Sequence, residues 1–173
     1  LASLSIDFSV FLAVSPIVQV HSVAGLAALA LTPTVLWRQR RDRLHKVSGY
    51  IWVAALAVLA LSSFGISGIG TFGWLSPLHG LAVLTLGTLV VAIRAVVRGD
   101  LVTHERAMRN LATFGMGLPM VLNFLPGRTF SKAVFGANPT VGLWSMATIF
   151  AAILIWRFWR GRLRSGFSAL PAE

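Results

Sequence analysis

Five apolar runs of about twenty residues or more, separated by short loops that carry nearly all the charge, decide what this chain can become. As a helix, a run of that length spans roughly 30 Å, the thickness of a bilayer's hydrocarbon. In hydrocarbon every backbone N–H and C=O must be satisfied within the protein, and a helix does this within one segment. The runs cover residues 8–37, 47–66, 77–97, 107–125 and 141–159. They predict an all-α integral membrane protein, a single membrane domain over 1–173. Spans one to four are expected to form a four-helix bundle of two tandem helix pairs, with a fifth, peripheral helix. The first run is longer than a span needs, so its N-terminal part is expected to lie along the interface or to belong to a tilted helix. Pro16, Pro33 and Pro119 fall inside runs, where neighbouring helices or polar side chains must satisfy the carbonyls they free.

Only 12% of the residues are charged and 56% are hydrophobic, about half the charge expected of a soluble domain. A net charge of +10 raises nucleic acid as a partner. The placement of the charge argues against it, because the basic residues sit between and after apolar runs and form no aromatic-interleaved patch on a polar domain. Cysteine is absent, which excludes disulfides, thiolate metal sites and cysteine nucleophiles.

Arg38, Arg40, Arg41, Arg43 and Lys46 lie in the first loop, Arg94, Arg98, Arg106 and Arg109 around the third, and Arg157, Arg160, Arg162 and Arg164 in the C-terminal tail. All of these fall on one side, leaving only Arg128 and Lys132 on the other. The positive-inside rule then predicts a bacterial inner membrane protein with its N-terminus outside and its C-terminus in the cytoplasm. The chain begins at Leu1 without Met or a basic signal region, and an outside N-terminus calls for a preceding span or signal segment.

Two stretches repeat. "HSVAGLAALALTPTVLWRQRRDRLHK" from His21 matches "HGLAVLTLGTLVVAIRAVVRGDLVTHE" from His79 in order and spacing. Each opens on a histidine, reaches a basic loop with an aspartate (Asp42, Asp100) and closes on a second histidine, His45 or His104. The repeat units 21–45 and 79–104 contain every histidine of the chain. Helical rise puts His21 and His79 each roughly 23 Å from the cytoplasmic boundary, and His45 and His104 at it. Gly25 and Gly49 follow their histidines at i+4, and Ala82 and Ala107 at i+3. Small residues there leave a hollow beside each imidazole or let helices pack closely.

Bis-histidine pairs on facing helices hold b-type haem in bundles. The pattern therefore offers His21 with His79 for an outer haem b and His45 with His104 for an inner one. Asp42 and Asp100 are candidate acceptors for the imidazoles' second nitrogens, and basic loop residues are candidate partners for the propionates. This placement, over residues 15–110, resembles the transmembrane di-haem cytochromes b, and the resemblance implies electron transfer across the bilayer, with quinol as one possible donor. Separately, "LHKVSGYIW" and "HERAMRNLA" resemble a bacterial family of predicted multi-span membrane proteins of unknown function. In that family one span starts His-basic-x-x-Gly and another starts with His near Met and Arg. His45, Lys46 and Gly49, and His104, Met108 and Arg109, carry the match, which implies a fold and no reaction.

A second expectation is a haem-free accessory subunit that packs against other membrane subunits through the fifth span and the loop "PGRTFSKAVFGANPT" (126–140). In that case His45 and His104 are polar interfacial anchors, His79 is solvated near the outer surface, and His21 is paired with Ser15, Ser22 or Thr32 in its own span. The six tryptophans read as an aromatic belt, and "FGISGIGTFGWLSP" as a flexible outer turn. No carboxylate falls within a span, which counts against an ion-coupled transporter. Nor does any acid–base pair or nucleophile triad appear.

Overall fold

The computed structural model describes residues 8–38, 40, 42–66, 76–126, 128–135 and 138–167, and the regular structure among these is helical. The chain divides into two compact units, Phe8–Pro119 and, from Met120 onward, the C-terminal segment. Four helices are long and apolar enough to cross a membrane.

The first apolar run is two helices, α1 (Phe8–Leu12) and α2 (Pro16–Trp37). Pro16 causes the break. It holds Ser15 in an extended conformation (ψ 151°) and then serves as the first residue of α2. The Gln19 side-chain amide donates back to the carbonyls of Leu12 and Val14, at 3.3 and 3.1 Å, closing the end of α1.

Helix α3 (Arg43–Ser63) begins four residues before the expected span because Asp42 caps it, accepting from the His45 backbone N–H at 3.1 Å. Helix α4 (Pro77–Val97) has the expected bounds. It ends in a Schellman turn, in which Gly99 (φ 77°) donates to the Val96 carbonyl and Asp100 to that of Ala95. Only glycine takes that φ without strain, which permits a three-residue connection. Asp100 then caps α5 (Leu101–Asn110) through the Thr103 N–H.

The fourth expected span, 107–125, is redrawn. The helical path starts earlier, at Leu101, and passes from α5 through a π-helical turn (Leu111–Met116) into α6 (Gly117–Asn123). It is not among the four long apolar helices, since α5 is rich in polar residues. Pro119 offers a cause for the π turn. It lacks an N–H for the Gly115 carbonyl and its ring would press on that group, so the preceding turn widens.

Within the first unit, α2 packs along α3, α3 along α4, and α4 along α5 and the π turn, which returns against α2. The core they share is built from Ala28, Trp52, Leu56, Leu89, Ala92 and Met108. Trp52 is a correction to the belt reading: it is fully buried on α3, while Trp37, Trp144, Trp156 and Trp159 are exposed as expected. Trp74 and most of the glycine-rich turn (67–75) lie outside the described residues.

In the second unit, the expected loop 126–140 contains a short helix, α7 (Thr129–Phe135). It leads to α8 (Pro139–Phe167), whose stretch Thr140–Arg160 is the fourth apolar helix. A Cβ on Gly142 would come within 2.5 Å of the Phe135 ring, so this α7–α8 approach needs a glycine.

Candidate functional site

The four histidines occupy the two ends of the first unit, as their spacing predicts. His79 Nε2 lies 3.1 Å from the Ser63 carbonyl, which sets the start of α4 beside the end of α3. His104 Nδ1 lies 2.9 Å from the Ala92 carbonyl, setting the start of α5 beside the last turns of α4. His45 and His104 therefore belong to the end that carries the basic connections, and His21 and His79 to the opposite end.

At that opposite end the two imidazoles meet consecutive residues of α3. His21 Nδ1 is 3.0 Å from Ser62 Oγ. The Ser62 hydroxyl lies 3.1 Å from the Leu59 carbonyl, which also engages the His21 ring. The partner of His21 thus comes from α3 and not from Ser15, Ser22 or Thr32 of its own run.

His79 is buried, not solvated. Its Nδ1 accepts the Ser76 backbone N–H at 3.0 Å, completing a capping box in which Ser76 Oγ accepts from Leu78 N–H. A nitrogen that accepts an N–H carries no proton, so the proton is on Nε2 and is donated to Ser63 O. The ring also stacks on Phe64, with centroids 5.5 Å apart. Both His79 nitrogens are therefore engaged in holding two helix ends, and as packed they offer nothing to an iron. Beside His21 the expected hollow is filled, since a Cβ on Gly25 would lie 3.3 Å from Leu59 Cδ1. The outer pair does not fit a haem in this packing.

The basic end differs. His104 is half-buried, and its Nδ1–H donates to the Ala92 carbonyl, which leaves Nε2 with its lone pair. This is the arrangement in which a backbone carbonyl orients a metal-binding imidazole. His45 Nδ1 is buried without a hydrogen-bond partner. A Cβ on Gly49, one turn on from His45, would meet nothing within 4 Å. The space at Gly49 is open. Ala82 and Ala107 are both buried in the packing of their helices.

Asp42 and Asp100 do not face the imidazoles. Their carboxylates accept backbone N–H groups as helix caps, and Asp42 also pairs with the Arg38 guanidinium. Arg38, then the His45 N–H, hold the Asp42 carboxyl well below the usual carboxylate range. The Thr103 side chain and N–H lower that of Asp100. Among the described residues no group of three or more His, Asp or Glu side chains is placed to hold a metal ion.

A further feature escaped the sequence reading. Trp52 Nε1 donates to Thr32 Oγ1 at 3.0 Å, and that hydroxyl donates to the Ala28 carbonyl at 2.8 Å, with Met116 Sδ 3.6 Å away. This polar junction ties α2, α3 and the π turn together. Its four members (Ala28, Thr32, Trp52, Met116) are apolar or singly polar, so no motif marks it.

A family model described as "Predicted membrane protein (DUF2306)" matches residues 18–155, a stretch that includes all four histidines. No curated protein matches the chain, and no solved structure does.

Proposed function

The chain belongs to the DUF2306 family of predicted membrane proteins, and on that premise we propose an electron-transfer component of the bacterial inner membrane that holds one b-type haem at its basic end. His45 and His104 are its ligands, and the outer histidines are structural. The observation that carries this reading is the buried His45 nitrogen without a partner, because such a group costs free energy unless a ligand satisfies it. The open space at Gly49 and the His104 ring, oriented by Ala92, support it.

Bound there, a haem supplies reversible one-electron transfer. The chain's own part is to hold and tune it. The Ala92 carbonyl fixes the plane and protonation of the His104 ring. Arg40, Arg43, Arg98 and Arg106 supply cations at that end for the propionates. In the proposed topology the basic loops face the cytoplasm. The first unit is a four-helix bundle, and a quinol or a cytoplasmic reductant is the donor.

The test is a dithionite-reduced minus air-oxidised spectrum of the detergent-purified protein with a pyridine haemochrome assay. A b-type band at about one haem per chain is expected, lost in His45→Ala and His104→Ala and kept in His21→Ala. A flat spectrum from folded, haem-supplemented protein overturns the reading.

That outcome favours a second one, a haem-free accessory subunit. Its support is α8, where no ionisable residue occurs from Pro139 to Trp156 and Trp144, Ile149 and Ile155 are exposed. This helix would pack on a partner membrane subunit, with segment 126–140 beside it.

A further inference from the structure

We propose that His79 is a proton-operated latch between the two helical hairpins, closed while its imidazole is neutral and opened by protonation of Nδ1. The inference is independent of whether haem is bound at the other end.

The latch follows from what each nitrogen does. A helix start leaves N–H groups without partners and a helix end leaves carbonyls without partners, and both are costly where water is scarce. His79 supplies an acceptor at such a start and a second donor, beside the Ile66 N–H, to a carbonyl at such an end. Nδ1 takes the Ser76 N–H at the start of α4, and Nε2–H gives to the Ser63 carbonyl at the end of α3. One ring thus joins the α2–α3 hairpin to the hairpin that begins with α4. The seat is buried, and Phe64 stacks on the ring at an interplanar angle of 8°.

Only one of the ring's two protonation states fits this seat. A proton on Nδ1 would face the Ser76 N–H, donor against donor at 3.0 Å. It would also set a positive charge at the N-terminus of α4, which the helix dipole opposes. The Ser63 bond survives protonation, so the loss falls on the α4 side. His21 differs in that its Nδ1 faces a hydroxyl, which can accept as well as donate, so the bond to Ser62 fits either protonation state.

The titratable group of α2 at this end is His21, which bonds Ser62, the neighbour of Ser63. From the end of α3, His79 meets Ser63 and Phe64, which carry no charge. The π turn and α6, Leu111–Asn123, contain no ionisable residue. The nearest charges along the packed helices, Arg38, Lys46, Arg94 and Arg109, belong to the opposite end.

A substitution separates proton response from folding. Glutamine is the usual side chain at this capping-box position. His79→Gln offers an oxygen to accept the Ser76 N–H and an amide to donate toward Ser63, and it does not titrate. The experiment is NMR of the full-length protein in micelles with ¹⁵N-histidine labelling, together with Ser76 amide exchange, from pH 8 to 5.

At pH 8 the His79 ring should show the Nε2–H tautomer. On acidification the Ser76 protection factor, referred to intrinsic exchange, should fall by about tenfold or more as the bond is lost. It should stay level in His79→Gln and still fall in His21→Gln. Three results would overturn the latch: the Nδ1–H tautomer at pH 8, protection that stays level to pH 5 in the unmodified chain, or a pH response unchanged in His79→Gln. The tautomer and the pH profile of the unmodified chain decide the matter even if the variant does not fold.

Discussion

Trp52 and Thr32 face one another across the α2–α3 hairpin, the indole N–H donating to the threonine hydroxyl at 3.0 Å, in a core where Trp52 has no exposed surface. The hydroxyl passes its own proton to the Ala28 carbonyl. Both polar groups of the pair are thereby satisfied away from water, the condition on which a tryptophan can be buried.

Trp52→Phe removes the N–H and part of the ring. It leaves Thr32 with one bond fewer and a small void, and should cost about 1–3 kcal/mol. Trp52→Ala should cost about 3–5 kcal/mol, the range for emptying a large aromatic site. Thermal unfolding in detergent, read by near-UV circular dichroism, measures both. Equal loss in the two variants would mean that the hydrogen bond contributes most of the site's worth.

Gly25 and Gly49 hold the same place relative to their histidines but should respond oppositely. Gly25→Leu forces a branched chain against Leu59, whose Cδ1 is already 3.3 Å from the Cβ position, and should destabilise by about 1–3 kcal/mol. Gly49→Ala enters open space and should stabilise α3 by up to about 1 kcal/mol through helix propensity. The same melting experiment compares them, and destabilisation by Gly49→Ala would show that the space is not free.

That contrast also marks how far the sequence could be read. The histidine levels follow from helical rise, and the long apolar helices from run length, because both depend on spacing along one helix. What fills the space beside a residue depends on another helix. Leu59 closes on Gly25 while nothing closes on Gly49, although the two share an identical local pattern. Trp52 was misread for the same reason, since an indole nine residues into a helix looks alike at an interface and against a partner. Asp42 and Asp100 were placed near the inner histidines correctly but assigned to the wrong atoms. Capping competes for a carboxylate at a helix start, and here it prevails over the imidazole. The π turn is a backbone response to Pro119 that no side-chain periodicity reports.

Asp42 should make stability depend on pH in the acid range. Its carboxyl is held low by Arg38 and by the His45 N–H, so the native state favours the ionised form. The stabilisation is present above the unfolded carboxylate value of about 3.9 and is lost as pH falls through that value toward the depressed one. Asp42→Asn keeps a capping oxygen but removes the charge, and should flatten this acid limb. Because the pair is exposed, salt should weaken the effect. Melting midpoints from pH 6 to 3, at low and high salt, test this, and an acid limb unchanged in Asp42→Asn would remove Asp42 as its source.

The two ends of the first unit should separate under mutation. His79→Ala strips the Ser76 N–H of its acceptor and the Ser63 carbonyl of one of its two donors, the other being the Ile66 N–H, and should cost about 1–3 kcal/mol. It should leave any haem band in place, because the proposed ligands are at the other end. His104→Ala gives up one bond to a carbonyl that its own helix already engages, and should cost about 1 kcal/mol in the haem-free protein. It should abolish the band. Melting the apo-protein and titrating haem into each variant reads both effects side by side. A band lost with His79→Ala and kept with His104→Ala would reverse the assignment and make the outer histidines the ligands, which requires the α3–α4 junction to open before haem enters.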